Sequence, residues 1–332
     1  MKKIDVYALG NALVDVEYQV SEAQLQTLGI DKGVMTLIDQ TELAQLKNKL
    51  GHTVSHHRQS GGSAANSLIS IAQLGGQAYL SCRVADDDMG RFYLQDLKLA
   101  GVQHNQDTSA QDKPTGQCLV MVTPDADRTM NTCLGVAADL SVEQIDQTAL
   151  ATARYLYLEG YLVTGESSFA ALQQAIKIAR QHETRTALTL SDPNIVNFFK
   201  PQLVTLIESG LDIVFANQDE AMAYTDTDSP EQAGQQLAQC CPHVVITRGA
   251  EPTIVIEQGK VTHHPVQSVE PLDTLGAGDS FAGGYLYGLT QSYTITQAAR
   301  LASLLAGKLV TRFGPRLDSK TTCQILQDFN AG

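Results

Sequence analysis

Ala153-Arg-Tyr-Leu-Tyr-Leu158 reads as a buried strand, residues 167–182 as a helix, and Thr186-Ala-Leu-Thr-Leu190 as a second strand that stops at Ser191-Asp192-Pro193. The helix carries Phe169, Leu172, Ile176 and Ala179 at the spacing of one apolar face. Strand, helix and strand in that order are the unit of a doubly wound, mostly parallel sheet covered by helices. The alternation continues upstream. Ile4-Asp-Val-Tyr-Ala-Leu-Gly10 is a strand ending at a glycine, residues 64–74 a helix closed by Gly75-Gly76, 78–84 a strand, and 90–100 a helix ending at Gly101. Downstream, strands at 211–215 and 244–247 end at Asn217 and at Arg248-Gly249, and residues 280–289 and 295–311 read as long helices. In such sheets ligands sit beyond the carboxyl ends of the strands. The polar residues there, Asn11, Asp15, Asp192, Asn217, Glu220, Thr247 and Asp273, are therefore the candidates for chemistry.

Composition agrees with a folded α/β protein. The chain has 332 residues, 43% hydrophobic and 18% charged, which excludes intrinsic disorder. Its net charge of −13 repels phosphate backbones and anionic lipid, so neither nucleic acid nor a membrane surface is expected as a partner. A small anionic ligand requires amides, basic side chains or a metal ion to oppose that field locally. The six cysteines form no CxxC pair, which suits reduced thiols in the cytoplasm. Asp5 and Asp15 interrupt any signal core, and no stretch approaches the roughly 20 apolar residues of a membrane helix.

Two stretches break the alternation. Gly33-Val-Met-Thr-Leu-Ile38 reads as a strand with no place in the main sheet. Residues 115–132 read as two strands, 116–123 and 128–132, around the hairpin-favouring turn Pro124-Asp-Ala-Asp127. These strands make a small sheet of their own.

Asp273-Thr-Leu-Gly-Ala-Gly-Asp279-Ser280 precedes an apolar helix. Gly276, Ala277 and Gly278 let the backbone approach a ligand closely, and the helix that follows points its free N–H groups at the same loop, forming an anion hole. Asp279, in the first turn, is placed to take a proton from a substrate hydroxyl, and the helix dipole favours its ionised form. The same residue also suits an ordinary N-cap. The glycines of Gly61-Gly62-Ser-Ala-Ala-Asn66 open a helix start to a polyhydroxylated ligand, and Asn66 offers a donor and an acceptor. Taken alone, the motif fits a plain glycine-rich helix start slightly better. Asn217 and Glu220 share one helical face, which suits hydrated Mg²⁺, although taken alone the pair fits a capping box better. No GxxxxGK[ST] loop occurs, and no GxGxxG follows the first strand, which disfavours a dinucleotide enzyme. His56-His57, His263-His264 and Asp86-Asp87-Asp88 suit surface or structural roles.

Asp273 to Asp279 resembles the C-terminal signature of the ribokinase-like (PfkB) family of carbohydrate and nucleoside kinases. Gly61-Gly62-Ser-Ala-Ala-Asn66 resembles the family's sugar-binding glycine pair, Asn217-Gln-Asp-Glu220 its NxxE motif, and Thr247-Arg-Gly249 its nucleotide-contacting strand end. The motifs stand in the family's order over nearly the whole chain. The resemblance implies a three-layer α/β/α sandwich with a mostly parallel central sheet and a small β-sheet lid. The large catalytic domain would comprise 1–11, 40–113 and 137–332, and the lid 12–39 and 114–136. It also implies ATP, Mg²⁺, in many members a stimulating monovalent cation such as K⁺, and phosphoryl transfer to a primary hydroxyl. By resemblance Asp279 is the base, and Gly276, Ala277 and Gly278 hold the developing charge. Asn217 and Glu220 order Mg²⁺ and its waters, Glu220 through water. Asp15, Gly61, Gly62 and Asn66 hold the sugar ring. Thr247, Gly249 and, less directly, Ser303 line the ATP site, and Arg128 on the lid hairpin neutralises phosphate charge on closure.

The segment Gly10-Asn-Ala-Leu-Val-Asp15 is similar to the start of the adenosine-kinase branch, where the positions of Asn11, Leu13 and Asp15 face the nucleoside. Residues 128–135 and Ser191-Asp-Pro-Asn194 also resemble that branch, especially its bacterial members. The expected function is phosphorylation of the 5′-hydroxyl of a purine nucleoside, adenosine first. Tyr161 is the candidate base contact, because the neighbouring stacking position reads Leu162, while Phe198 and Phe199 have no assigned place. Thr311-Arg-Phe-Gly314 is closer to ribokinases, so a ribokinase- or fructokinase-type enzyme acting on a free sugar is the alternative. A non-catalytic sensor of the same fold is a third reading. A monomer or a homodimer fits equally.

Overall fold

Val6 and Ala8 belong to one buried apolar layer and Tyr7 and Leu9 to another, so the first strand, Ile4–Leu9, is covered on both faces. Side chains alternate along a strand, and an apolar residue at every position requires cover on each side. The computed structural model describes residues 2–51, 55–105, 108–109, 112–125 and 128–331, without the side chains of 52–57 and 106–111. The side chains of His56 and His57, and Ala126 and Asp127 of the expected turn, lie outside the described residues.

The large sheet has nine described strands. Seven run parallel, in the order His243–Arg248, Ile213–Asn217, Arg185–Thr189, Ala153–Glu159, Ile4–Leu9, Ala78–Ser81 and Val102–His104. Successive strands move outward in opposite directions from Ile4–Leu9 and Ala153–Glu159, so the switch point lies between these two. The crevice beyond their carboxyl ends is where such sheets bind ligands. Glu251–Glu257 and Lys260–His264 extend one edge as an antiparallel hairpin that the strand–helix alternation did not reveal. The strand expected over 78–84 divides, since Val84–Ala85 leaves the large sheet and pairs with Thr108–Ser109.

Helices cover both faces. Leu68 and Ile69 of Ser63–Gln73, Phe281 and Tyr285 of Ala277–Thr290, and Leu301 of Ile295–Leu309 fill one layer. Leu172 and Ile176 of Glu166–Gln181 and Leu203 and Ile207 of Pro193–Glu208 fill the other. The result is an α/β/α sandwich. Pro193 at the start of its helix, capped by Asp192, is the usual position for proline, where a missing N–H removes no helical bond.

The second sheet has the order Met35–Leu37, Arg128–Cys133, Gly116–Val122, Leu13–Gln19 and Ser55–Gly61. It contains the strands that had no place in the alternation. It also takes Ser55–Gly61, which lies in the 40–113 stretch assigned to the large domain from sequence. Leu119 and Met121 share an apolar cluster with Leu43 and Leu46 of the helix Gln40–Leu50, while Cys118 and Val120 face a cavity between the two sheets. Among the described residues no helix is long and apolar enough to cross a membrane, and all six cysteines are free thiols.

One contact fixes the two helices that carry the motifs. A Cβ on Gly283 would stand 2.5 Å from the Ser67 carbonyl oxygen, so Ala277–Thr290 packs backbone-close on Ser63–Gln73. Gly283→Ala forces them apart. The net loss of stability is expected to be about 1–3 kcal/mol despite the better helix propensity of alanine. The urea midpoint of unfolding reads this, and an unchanged midpoint would show that the helices can separate freely.

Candidate active site

A cavity of about 590 Å³ lies between the small sheet and the carboxyl ends of the parallel strands. The switch point forms its base. Glu159, fully buried at the end of its strand, accepts hydrogen bonds from the Asn11 amide at 2.7 Å, from Asn11 Nδ2 at 2.9 Å and from the Ala64 amide at 3.0 Å. It thereby joins both central strand ends to the start of the helix Ser63–Gln73. Burial pushes its carboxyl up to about 7 against those hydrogen bonds. No sequence motif pointed to Glu159, since its partners are far away in the chain.

Leu13 and Asp15 project from the strand Leu13–Gln19 into the cavity. Gly61 is not on the cavity wall. A Cβ there would meet Asp15 Oδ2 at 2.3 Å, so its bare backbone makes room for that carboxylate from behind. Gly62 does line the cavity, with a left-handed φ of 97° and the Asn11 carbonyl oxygen 2.2 Å from where a Cβ would stand. Any larger residue there is both strained and obstructed. Burial raises the Asp15 carboxyl to about 7; Glu17 and Asp279 add to the rise, while Arg316 and Arg128 oppose it.

The helix Ala277–Thr290 begins without a side-chain cap, and Gly276 at its N-cap has a left-handed φ of 73°. Its first amides therefore stay available. Gly276, Ala277 and Gly278 all line the cavity, and the space where a Cβ of Gly278 would project is open. Asp279 is not the N-cap. Its Oδ1 accepts from Ser63 Oγ at 2.6 Å and its Oδ2 from Asn66 Nδ2 at 3.0 Å. The helix-dipole argument expected a carboxyl held low. Enclosure pushes it up instead, with the two hydrogen bonds opposing. Asn66 Oδ1 is buried and has no partner among the described residues, leaving an acceptor for a ligand hydroxyl beside Asp279.

Asn217 and Glu220 line the cavity and form the full capping box: Asn217 N donates to Glu220 Oε2 at 2.9 Å, Asn217 Nδ2 to Oε1 at 2.7 Å, and Glu220 N to Asn217 Oδ1 at 2.8 Å. Burial pushes Glu220 up to about 7, and neighbouring Asp192 adds to the rise. Thr247 pairs with Asn217 in register, so the two strand-end motifs stand side by side. Gly249, with φ of 60°, follows just off the cavity wall. Ser303 is buried on Ile295–Leu309, also off the wall, and its Oγ has no partner among the described residues. Among the described residues no three His, Cys, Asp or Glu side chains stand close enough to hold a metal ion.

Arg128 departs from expectation. Its side chain is buried and engaged away from the cavity wall, with Nη1 2.9 Å from Glu17, Nε 2.9 Å from Asp273, and its guanidinium 5.8 Å from the Phe313 ring centre. Those pairs must open before it can meet a phosphate. Tyr161 lines the cavity but donates its hydroxyl to the Ser191 carbonyl at 3.3 Å, while Leu162 is buried in the core. Ser191 itself holds a left-handed φ of 74° at a strand end, a strained conformation for a residue with a side chain.

The sequence reading left out Ser63 and the apolar half of the wall. Met35, Leu37, Val120 and Met130 of the small sheet join Leu134 there, and Phe198 and Phe199 take their place on the same cavity. Phe199 leaves helical geometry (φ −125°, ψ 24°) ahead of Pro201, which bends the helix where both rings meet the cavity.

An open glycine loop at an uncapped helix N-terminus, with Asp279 held by two donors in the first turn and lining the same cavity, suits an enzyme that transfers an anionic group to a hydroxyl. The model of the pfkB family carbohydrate kinase matches residues 28–322, and the chain belongs to that family. It is similar to the adenosine kinase of Sinorhizobium meliloti, at 33% identity and a TM-score of 0.89 over 98% of this chain and 99% of that one. It is similar too to a probable sugar kinase from Rhizobium etli CFN 42, at 31% identity and a TM-score of 0.90 over 99% of both chains. The adenosine kinase of Schizophyllum commune is 29% identical across 95% of this chain and 97% of its own. Kinases of this family generally use ATP and Mg²⁺.

Proposed function

We propose that the protein transfers the γ-phosphoryl group of ATP to the 5′-hydroxyl of a purine nucleoside, adenosine. The observation that carries this reading is the mixed lining of the cavity. It offers Asp15, Asn66 and Asp279 to hydroxyls, and Met35, Leu37, Val120, Met130 and Phe198 to a flat apolar group. A free pentose would leave those apolar side chains against water, whereas a base attached to ribose covers them. The likeness to adenosine kinases supports the same choice.

Asp15 holds the ribose hydroxyls with Gly62 and Asn66, while Gly61 gives Asp15 its room. Asn11, Leu13 and Tyr161 complete the nucleoside wall. Asp279 accepts the proton of the 5′-hydroxyl, with Ser63 and Asn66 fixing its two oxygens. The amides at Gly276, Ala277 and Gly278 face the phosphoryl charge, and the open space at Gly278 suits an anion against the backbone. Bound Mg²⁺-ATP supplies the phosphoryl group and the cation that balances it. Glu220, with Asn217, would meet that cation through water. Thr247, Gly249 and Ser303 flank the nucleotide, and Arg128 reaches it only if its ion pairs open.

The test is ADP formation with adenosine, ribose and fructose, each with Mg²⁺-ATP and with or without K⁺. ADP with adenosine and little with either sugar is expected, with a higher rate in K⁺. Turnover of ribose but not adenosine overturns the nucleoside reading, and binding of adenosine without ADP under every cation condition overturns the kinase reading.

A further inference from the structure

The segment 312–316 places Pro315 on the cavity wall and touches both the glycine loop and the strand that ends at Gly61. Gly314 N donates to Asp273 Oδ2 at 2.9 Å, and the Pro315 carbonyl oxygen would stand 2.2 Å from a Cβ on Gly276. The next residue, Arg316, faces the other way. Its Nη2 stands 2.6 Å from Asp96 Oδ2, and its Nη1 donates to Ser60 Oγ at 3.1 Å. Asp96 Oδ2 also accepts from Ser60 N at 2.8 Å and from Ser60 Oγ at 2.7 Å. Arg316 therefore grips the strand end one residue before Gly61, whose backbone rests against the Asp15 carboxylate. Its side chain is only 14% exposed. Nothing in the proposed reaction uses it.

We infer that Arg316 is a positioning residue for the hydroxyl-bearing substrate: gripped by Asp96, it fixes Ser60-Gly61 against Asp15 and brings its positive charge to that side of the site. This rests on the assignment of Asp15 to the substrate hydroxyls made above. The charge half of the inference has independent support. Arg316 is the strongest cation opposing the rise of Asp15, ahead of Arg128 on the neighbouring hairpin strand. The other groups facing Asp15 are Glu17 on its own strand, Asp279 across the cavity, the Cys118 thiol on the adjacent strand and the Tyr93 hydroxyl. Tyr93 donates to the Gly61 carbonyl at 3.1 Å and pins the same residue from its other side. The two acids disfavour ionisation of Asp15, and the thiol and phenol carry no charge near neutral pH. Of the two arginines that oppose the rise of Asp15, the one left without Arg316 is Arg128, and Glu17 and Asp273 already hold Arg128.

The experiment compares wild type, Arg316→Gln and Arg316→Lys in two ways. The first is the carboxyl ¹³C resonance of Asp15 against pH, assigned with Asp15→Asn. The second is KM for adenosine and for ATP. Arg316→Gln removes the cation, so Asp15 takes up its proton at a pH about one unit higher. The acid limb of kcat/KM for adenosine moves up with it. KM for adenosine rises about tenfold, while KM for ATP stays within about twofold. Arg316→Lys keeps the charge but not the fork that spans Asp96 and Ser60, so the titration stays near wild type and KM for adenosine still rises several-fold. An Asp15 titration equal in wild type and Arg316→Gln overturns the inference, and so does an equal rise in both KM values. If Arg316→Gln does not fold, Arg316→Lys decides, and a KM for adenosine equal to wild type overturns it. If wild type phosphorylates neither adenosine nor ribose, the kinase reading fails, while the titration still decides the role of Arg316.

Discussion

Asp279→Asn is expected to lower turnover by about 10²–10⁴-fold, the range over which a placed general base acts, while ATP still binds. The substitution preserves size. It removes the lone pairs that take the proton and puts an amide N–H₂ against Ser63 or Asn66, both of which donate to this carboxylate in the native protein. The sign of the pH dependence follows from enclosure, which raises the carboxyl above its ordinary range. As pH falls through that raised value the base is protonated and the rate drops, so the acid limb stands at a higher pH than a free aspartate would give. Asp279→Asn removes this limb from kcat along with the rate, while the limb set by Asp15 is read in kcat/KM for adenosine. Pre-steady-state turnover and nucleotide binding measured on the same preparation check this, and a variant within tenfold of wild type would deny Asp279 the role.

Gly276→Ala carries the second large expectation, a fall of about 10²–10³-fold in kcat. A methyl group there meets the Pro315 carbonyl oxygen at 2.2 Å, and the left-handed φ of 73° disfavours any side chain. The loop must move, and the amides that face the phosphoryl charge move with it. Gly278→Ala is the informative partner. Apart from its own chain neighbours and helix backbone, no described atom lies within 4 Å of where its Cβ would stand. Its melting temperature should stay near wild type, so any loss of activity reports how closely a ligand approaches that backbone. If Gly276→Ala keeps full turnover, the loop is not the anion hole.

The parallel sheet was legible because each strand, turn and helix is local in sequence. Its antiparallel hairpin, Glu251–Glu257 with Lys260–His264, was missed although only Gln258-Gly259, both at positive φ, separate the strands, too few residues for a crossover and enough for a tight turn. The glycine motifs were legible as places where backbone approaches something. What approaches was not. Gly62 lies against the Asn11 carbonyl, but Gly61 makes space for a protein carboxylate, Asp15, and the two look alike in a sequence. Asp279 was found from its helix start, whereas Ser63, which donates to it across 216 residues, carries no local signal beyond being polar at another helix start. Glu159 and Arg316 escaped for the same reason. Arg128 shows the converse limit: its hairpin position was read correctly, and the two carboxylates that occupy it come from other parts of the chain. The dipole argument for Asp279 failed because helix position is visible in sequence and enclosure is not.

The borders of the two sheets differ in what they present to another unfolded chain. The large sheet stops at Lys260–His264, where Lys260 and His263 are exposed, and at the three-residue strand Val102–His104. A foreign strand would find charge at one border and almost no length at the other. The small sheet ends at Met35–Leu37, where Met35 is 40% and Leu37 61% exposed. An apolar wall that must admit a ligand cannot also be sealed at its rim. Self-association under heat or mild denaturant should therefore begin at this rim, and a bound ligand covering the wall should delay it.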